Sequence, residues 1–370
     1  MLKFSCEKTL LQQAVSTVSR AVAAKSSIPA LEGVLLEGDT QLTLSGYNMQ
    51  TGIRTAIPAE IHQEGRIVLN ARLFGEMIRR LPDDIVVFSA DEKYVVKLVC
   101  GDASFELPGL SADDYPEMPT VDDEFSVSIQ QRTMKAMINQ TSFAVSTNEA
   151  RPIHTGALFE IGDAGLTMVA VDGFRLALRR EAVEGYGDDC SFIVPGTALS
   201  DLERLCGDSD ERVVLSVGSK HISFTVGNTV ILSRRLEGDF LNYKKAIPES
   251  FRVTVKTART DLLEVVERVS LIIDSKNNAP LRLTFRKDAI DFVCTTPLGK
   301  AADSCPCEGD GGDLEIGFND HYLSDALKAA PADEINVCLN TGSSPCILVP
   351  ADGSDNFVYM VLPVRLRAGQ

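Results

Sequence analysis

From Glu7 to Val22 the apolar residues Leu10, Leu11, Ala14, Val15, Val18 and Val22 fall at helical spacing, with Lys8, Gln12, Ser16 and Arg20 elsewhere around the turn. The stretch predicts an amphipathic helix roughly 24 Å long at 1.5 Å per residue. Alternating segments follow at Gly33 to Glu37, Gln41 to Ser45 and Gly52 to Ile57, punctuated by Gly38-Asp39 and Gly46, and they predict a meander of strands. The pattern restarts with Ile67-Val68-Leu69, a second helix from Ala71 to Leu81 stopped by Pro82, and strands around Val86, Val96 and Phe105. Each half thus reads strand, helix, three strands.

The same unit recurs twice more. Phe4, Phe125 and Phe251 each open a short apolar strand followed by an amphipathic stretch. Leu42-Thr43-Leu44, Leu166-Thr167-Met168 and Ile290-Asp291-Phe292 repeat 124 residues apart, and turns at Gly101-Asp102, Gly227-Asn228 and Gly353-Ser354 repeat 126 residues apart. The register therefore persists, and it predicts three domains at 1–120, 121–248 and 249–370. Later helices are expected at Gln130 to Val145, Thr197 to Cys206, Lys256 to Ile273 and Asn319 to Ala330. Six helices over many more strands make an α+β chain whose helices cover one face of the sheets. Symmetry at two levels predicts a curved or ring-like array, with an open stack of repeats as the alternative.

Composition narrows the class. The chain has 370 residues, 44% of them hydrophobic, no tryptophan and nine cysteines. It contains no apolar run of about 18 residues, and Met1 to Glu7 shows no signal-peptide core, which predicts a soluble, cytoplasmic protein with no membrane contact. An odd number of scattered cysteines fits reduced thiols, and Cys305-Pro306-Cys307 is expected to be a free-thiol loop.

The net charge of −16 argues at first against nucleic acid. Its distribution reverses that. The six predicted helices carry a net +3, which leaves −19 on the rest of the chain. Helices facing a common duplex would bring Lys8, Arg20, Lys25, Arg72, Arg79, Arg80, Arg132 and Lys135 to phosphates, while an acidic exterior repels DNA. Such a layer holds a duplex without reading its bases. With only 6% aromatic residues, a stacking platform for single strands is not expected.

Together with the threefold repeat, Ala170-Val171-Asp172-Gly173-Phe174-Arg175-Leu176, Gly238-Asp239-Phe240-Leu241-Asn242-Tyr243 with Ile247-Pro248, and Leu362-Pro363-Val364-Arg365-Leu366 make the whole chain resemble the bacterial sliding clamp, the β subunit of the replicative DNA polymerase. The resemblance implies three clamp domains per chain and a head-to-tail homodimeric ring with helices inside and antiparallel sheets outside. It further implies non-sequence-specific encirclement of duplex DNA, no catalytic activity and no cofactor. DNA polymerase subunits, the clamp loader and repair proteins would dock short linear motifs in a groove formed by His154, Val171, Gly173, Phe174, Arg175, Leu176, Leu241, Lys245 and Ala246, completed by Cys346, Met360, Val361, Leu362, Pro363, Val364 and Arg365. The dimer contact maps onto Leu73 and Phe105, opposite Leu271 and Ile272 of the second copy, although Leu271-Ile272-Ile273 could equally be core. Lys25, Arg72, Thr147, Asn148, Pro152 and Ile153 fall where the family contacts the duplex. Phe174 stands where many members have His, Leu241 replaces a Pro, Lys245 an Arg, and Leu362 and Val364 stand where Met is frequent, so a stiffer groove is expected.

Enzyme readings find little purchase. His62, His154, His221 and His321 are far apart, none in a Ser-His-Asp or HExxH setting, and no phosphate-binding glycine motif occurs. Asp172 beside Arg175 reads equally as half of an acid–base pair or as a structural ion pair. The competing function is a non-catalytic repeat scaffold that binds proteins only.

Overall fold

The computed structural model describes residues 1–122, 125–163, 165–183, 189–274 and 279–366. The first repeat runs β1 (Leu2–Glu7), α1 (Lys8–Val18), β2 (Gly33–Gly38), β3 (Leu42–Tyr47), β4 (Thr51–Ile57), β5 (Glu60–Gln63), β6 (Gly65–Asn70), α2 (Ala71–Arg80), β7 (Ile85–Ala90), β8 (Val95–Cys100) and β9 (Ala103–Pro108). The second runs β10 (Phe125–Gln130), α3 (Gln131–Asn139), β11 (Gly156–Gly162), β12 (Gly165–Val171), β13 (Arg175–Glu181), β14 (Cys190–Pro195), α4 (Gly196–Leu205), β15 (Arg212–Val217), β16 (His221–Val226) and β17 (Thr229–Arg234), with a single turn α5 (Tyr243–Ala246) after it. The third runs β18 (Val253–Ala258), α6 (Arg259–Ser270), β19 (Leu281–Thr296), β20 (Gly299–Phe318), α7 (Asp320–Ala329), β21 (Glu334–Leu339), β22 (Cys346–Pro350) and β23 (Phe357–Val361).

These elements pack as two compact units, Met1–Arg132 with Ser200–Arg235, and Thr133–Leu199 with Leu236–Gln370. The second repeat is shared out between them. In the first unit its β17 pairs antiparallel with β4, Ile231 opposite Ile53, which extends the order β10-β15-β16-β17-β4-β3-β2-β6; a separate sheet runs β5-β1-β7-β8-β9. In the second unit β13 pairs antiparallel with β23 within the order β14-β11-β12-β13-β23-β22-β21-β18-β20-β19. Strand alternation fills both cores. In the first unit Phe4 lies opposite Phe88 with ring centroids 4.7 Å apart, and in the second Phe159 of β11 lies opposite Phe192 of β14 at 5.5 Å.

The recurring turns have a backbone reason. Gly101, Gly227 and Gly353 adopt φ of +55°, +55° and +82°, where a side chain is strained. Helix ends depart from the periodicity in three places. The first helix tightens into a 3₁₀ turn at Ser19–Ala21 and leaves Val22 extended. The third stops at Asn139, where Thr141 Oγ1 donates to the Met137 carbonyl at 2.7 Å, and a separate 3₁₀ turn follows at Ser142–Ala144. The helix expected from Lys256 begins at Arg259, because Lys256, Thr257 and Ala258 pair with Asn336, Ile335 and Glu334 of β21; its strand starts at Val253, two residues after Phe251. Cys305-Pro306-Cys307 is not a loop. It lies within β20, and both thiols are buried and unoxidised. A one-turn helix such as α5 is too short to show a period.

Close approach also dictates glycine at Gly46, where a Cβ would sit 2.0 Å from the Val18 carbonyl oxygen at the end of α1. Gly46→Ala should therefore cost about 1–3 kcal/mol and lower the first unit's melting transition in calorimetry. Gly227→Ala, whose Cβ meets nothing within 4 Å, should cost only the backbone strain of about 1–2 kcal/mol.

Candidate functional site

The β13–β23 ladder assembles most of the predicted groove. Leu176 lies opposite Met360 and Arg175 opposite Val361, while one residue further the Leu362 N–H donates to the Phe174 carbonyl at 2.8 Å. Val171, Leu176 and Met360 are buried in one apolar cluster with Tyr243 and Ile347, against which Ile153, Phe240, Ala246 and Leu362 pack half-buried. Phe174, Leu241 and Val364 stand exposed at 57%, 46% and 37%. Gly173, Lys245 and Arg365 are also exposed, and His154 and Pro363 are half-buried. Beyond Pro363 the Val364 N–H donates to the Gly317 carbonyl at 2.8 Å, so the tail crosses to β20. Cys346 and Val361 correct the sequence expectation. They pair with each other in the row that holds Arg175, facing away from Met360, and at 1% and 0% exposure they support the groove without lining it.

A cap and a turn orient the polar rim. Asp172 Oδ1 accepts the N–H groups of Phe174 and Arg175 at 2.9 and 3.0 Å, and Gly173 takes φ +95°, which projects Phe174 outward. Arg175 Nε pairs with Asp172 at 2.9 Å and its Nη1 with Asp325 at 2.6 Å. Its guanidinium lies 4.6 Å from the Tyr322 ring centroid and 5.4 Å from that of Phe143, and Phe174 stacks on Tyr322 at 5.7 Å. Asp172 is therefore a structural ion pair. Tyr322, Asp325 and Phe143 were missed in the sequence; the available signal was Asn319, whose side chain caps α7 by accepting the Tyr322 N–H at 3.1 Å and so sets that helix's first turn. His154 packs edge-on to Phe240 with ring centroids 6.1 Å apart, and its buried Nδ1 has no hydrogen-bond partner. Burial, then Arg151, hold its imidazole below the ordinary histidine value against Asp172, so the ring is neutral at neutral pH.

Many of the predicted duplex-facing cations already have acidic neighbours. Lys8 pairs with Asp83 at 2.8 Å, Arg20 with Asp201 at 3.6 Å, Arg79 and Arg80 with Glu76 at 2.6 and 3.4 Å, and Arg132 with Asp210 at 2.9 Å. Lys25 and Arg72 are exposed and carry no carboxylate partner among the described residues. Lys135 and Ile153 are half-buried; Thr147, Asn148 and Pro152 are exposed, with Asn148 Oδ1 held in a turn by the Ala150 N–H. The corrected bounds of α6 remove Lys256 from the helical count, so α6 and α7 each carry −1.

Exposed apolar side chains mark two further faces. In the first unit Leu73 on α2 is 44% exposed, and Phe105 lies half-buried on β9, whose outer edge ends its sheet. In the second unit Leu271, at the end of α6, is 82% exposed and Ile272 is half-buried. Leu298, 67% exposed and missed in the sequence, belongs to the same patch: Thr296 Oγ1 donates to the Ile272 carbonyl at 3.0 Å and accepts the Leu298 N–H at 3.1 Å. Leu271 is thus not core. One histidine also has neighbours that sequence distance concealed, since Ser5 Oγ lies 2.8 Å from His62 Nε2, and Glu60 lies 3.9 Å from Nδ1. All three stand on an open sheet face with the Glu60 side chain 77% exposed, an arrangement that encloses no substrate. No group of three or more His, Cys, Asp and Glu among the described residues is placed to hold a metal, and no helix is long and apolar enough to cross a membrane.

Family models match in series: the N-terminal domain of the DNA polymerase III beta subunit over residues 2–119, its central domain over 128–242 and its C-terminal domain over 244–365. A beta sliding clamp of Synechococcus elongatus is 32% identical over 99% of this chain and 100% of its own length, and one of Staphylococcus epidermidis is 30% identical over the same shares. The crystal structure of the DNA polymerase sliding clamp from Bacillus subtilis superposes with a TM-score of 0.95 at 29% identity, covering 99% of this chain and 100% of that one. The chain, with its three repeated α+β clamp domains, belongs to the DNA polymerase III beta subunit family, the bacterial beta sliding clamps.

Proposed function

We propose that two copies of this chain join head to tail into a closed ring of six similar domains, each copy contributing three, 1–120, 121–248 and 249–370, taken in order. The ring encircles duplex DNA without reading its sequence and tethers the replicative polymerase. Polymerase subunits, the clamp loader and repair proteins dock short linear peptides on the Phe174–Leu241–Leu362 surface. The observation that carries the ring is the pair of unlike apolar faces, Leu73 with the β9 edge in the first unit and Leu271 with Leu298 in the second. Unlike faces that meet form a heterologous contact, and such a contact closes a ring or propagates a filament. The peptide reading is supported by exposed Phe174, Leu241 and Val364 around an apolar floor, the arrangement in which a few anchoring side chains supply most of the binding energy. Lys25 and Arg72, exposed and without a carboxylate partner among the described residues, are the cations best placed to meet phosphate.

Each part has its own test. Leu271→Asp with Leu298→Asp changes only exposed positions, so the chain should fold and sediment as a monomer where the unmodified protein sediments as a dimer. An unchanged dimer would move the interface elsewhere. Phe174→Ala should weaken a Leu- and Phe-containing peptide about tenfold or more in calorimetry, and deletion of residues 362–370, which spares β23, should abolish binding. Lys25→Glu with Arg72→Glu should lower the slope of log affinity for duplex DNA against log salt by roughly 2 while the dimer sediments unchanged; loss of the dimer would place those residues in the interface.

A further inference from the structure

The groove wall that carries Lys245 and Ala246, with Leu241 just ahead of its cap, is a single helical turn, α5, and one turn lacks the cooperative length that holds a helix by itself. Its local supports are slight. Asn242 Oδ1 accepts the Lys245 N–H at 3.4 Å, and the Ile247 N–H reaches the Tyr243 carbonyl at 3.2 Å. Tyr243 is the one buried residue of the turn, at 3% exposure, and its ring belongs to the same cluster as the groove floor, Val171, Leu176 and Met360. An open cavity of about 820 Å³, walled by Glu160, Thr167, Arg180, Tyr243, Lys244 and Asp355, lies beside the turn. Across it the contacts to α5 converge on one carboxylate: the Tyr243 hydroxyl donates to Glu160 Oε2, and Lys244 Nζ donates to Glu160 Oε1 at 3.4 Å. Glu160 is itself fixed on β11, opposite Thr167 of β12 and Ser191 of β14.

We propose that the Tyr243–Glu160 hydrogen bond is a positioning pair that latches the α5 wall of the peptide groove against the β11 sheet. The proposal rests on the groove reading above. A phenol hydroxyl beside an apolar cluster needs a partner, and a carboxylate acceptor makes the bond charge-assisted. Burial, then the Glu160 carboxylate, push the phenol above its ordinary value, so the donor proton stays in place across physiological pH. Released from Glu160, the ring can rotate toward the cavity, and Leu241 and Ala246 shift relative to the Leu176–Met360 floor. The peptide then meets a wall it must first order, which reduces affinity without removing any contact residue.

The test titrates a fluorescein-labelled peptide with neighbouring Leu and Phe anchors into the full-length protein and its variants. Tyr243→Phe and Glu160→Ala should each weaken binding about tenfold, and the double variant no further, because both break the Tyr243–Glu160 bond and the exposed Lys244 pair that Glu160→Ala also removes contributes little. Glu160→Gln, whose amide oxygen still accepts, should stay within about threefold of the unmodified protein. Amide hydrogen exchange over residues 241–247 should quicken in the same order, and exchange in β11 and β13 should remain as before. Tyr243→Phe binding within twofold of the unmodified protein, or a double variant equal to the product of the singles, overturns the latch. Phe174→Ala and the 362–370 deletion separate the two readings: if they abolish binding and Tyr243→Phe does not, the latch falls and the groove stands, and if none of the variants changes affinity, the groove falls with it.

Discussion

One antiparallel ladder decides what the second unit can do. β13 of the second repeat pairs with β23 of the third, and the register that sets Leu176 against Met360 also sets the Phe174 turn beside the tail at Leu362. A one-residue slip of β13 would turn Leu176 to the face opposite Met360 and leave Arg175 without Tyr322. The same ladder brings Arg175 under α7, where two carboxylates and two aromatic rings surround it. The apolar floor, polar rim and tail of the candidate site are therefore consequences of a single strand pairing between repeats.

Charge shows the opposite logic, local rather than collective. A chain of −16 makes room for DNA only by segregating its cations, yet most of those on the helices sit beside a carboxylate. Where such pairs are exposed, as at Arg79, Arg80 and Arg132, they contribute little to stability and cost little to exchange for phosphate, whereas Lys8 and the Arg20–Asp201 pair are largely covered. In the proposed ring such half-satisfied cations would hold DNA weakly enough to let the protein move along it, and the acidic α6 and α7 would place most of that hold on the first two repeats.

The fold was legible because repetition multiplies weak signals: a helix such as Ala71–Arg80 is called by its own apolar spacing and again by its counterparts in the other repeats. The glycine turns were legible for a physical reason, positive φ, that survives in any copy. What escaped depends on tertiary pairing. Lys256 to Ala258 continue a helical pattern but belong to β18, since β21 offers them a ladder. In the candidate site, Phe174 and Leu362 were found through short motifs, whereas Tyr322, Asp325 and Phe143 come from distant segments that only the folded chain brings to Arg175. Ser5 and His62 likewise meet only through the β1–β5 ladder.

In the proposed ring this chain would hold DNA by topology and not by affinity. The direct measurement loads the protein onto a nicked circular duplex with a clamp loader and ATP, isolates the complex in high salt, and then linearises the circle with one restriction cut. Protein retained on circles should be lost from the linear product within the time of cutting, and blocking both ends should restore retention. Protein that stays on unblocked linear DNA, or that never resists salt on the circle, would contradict the ring.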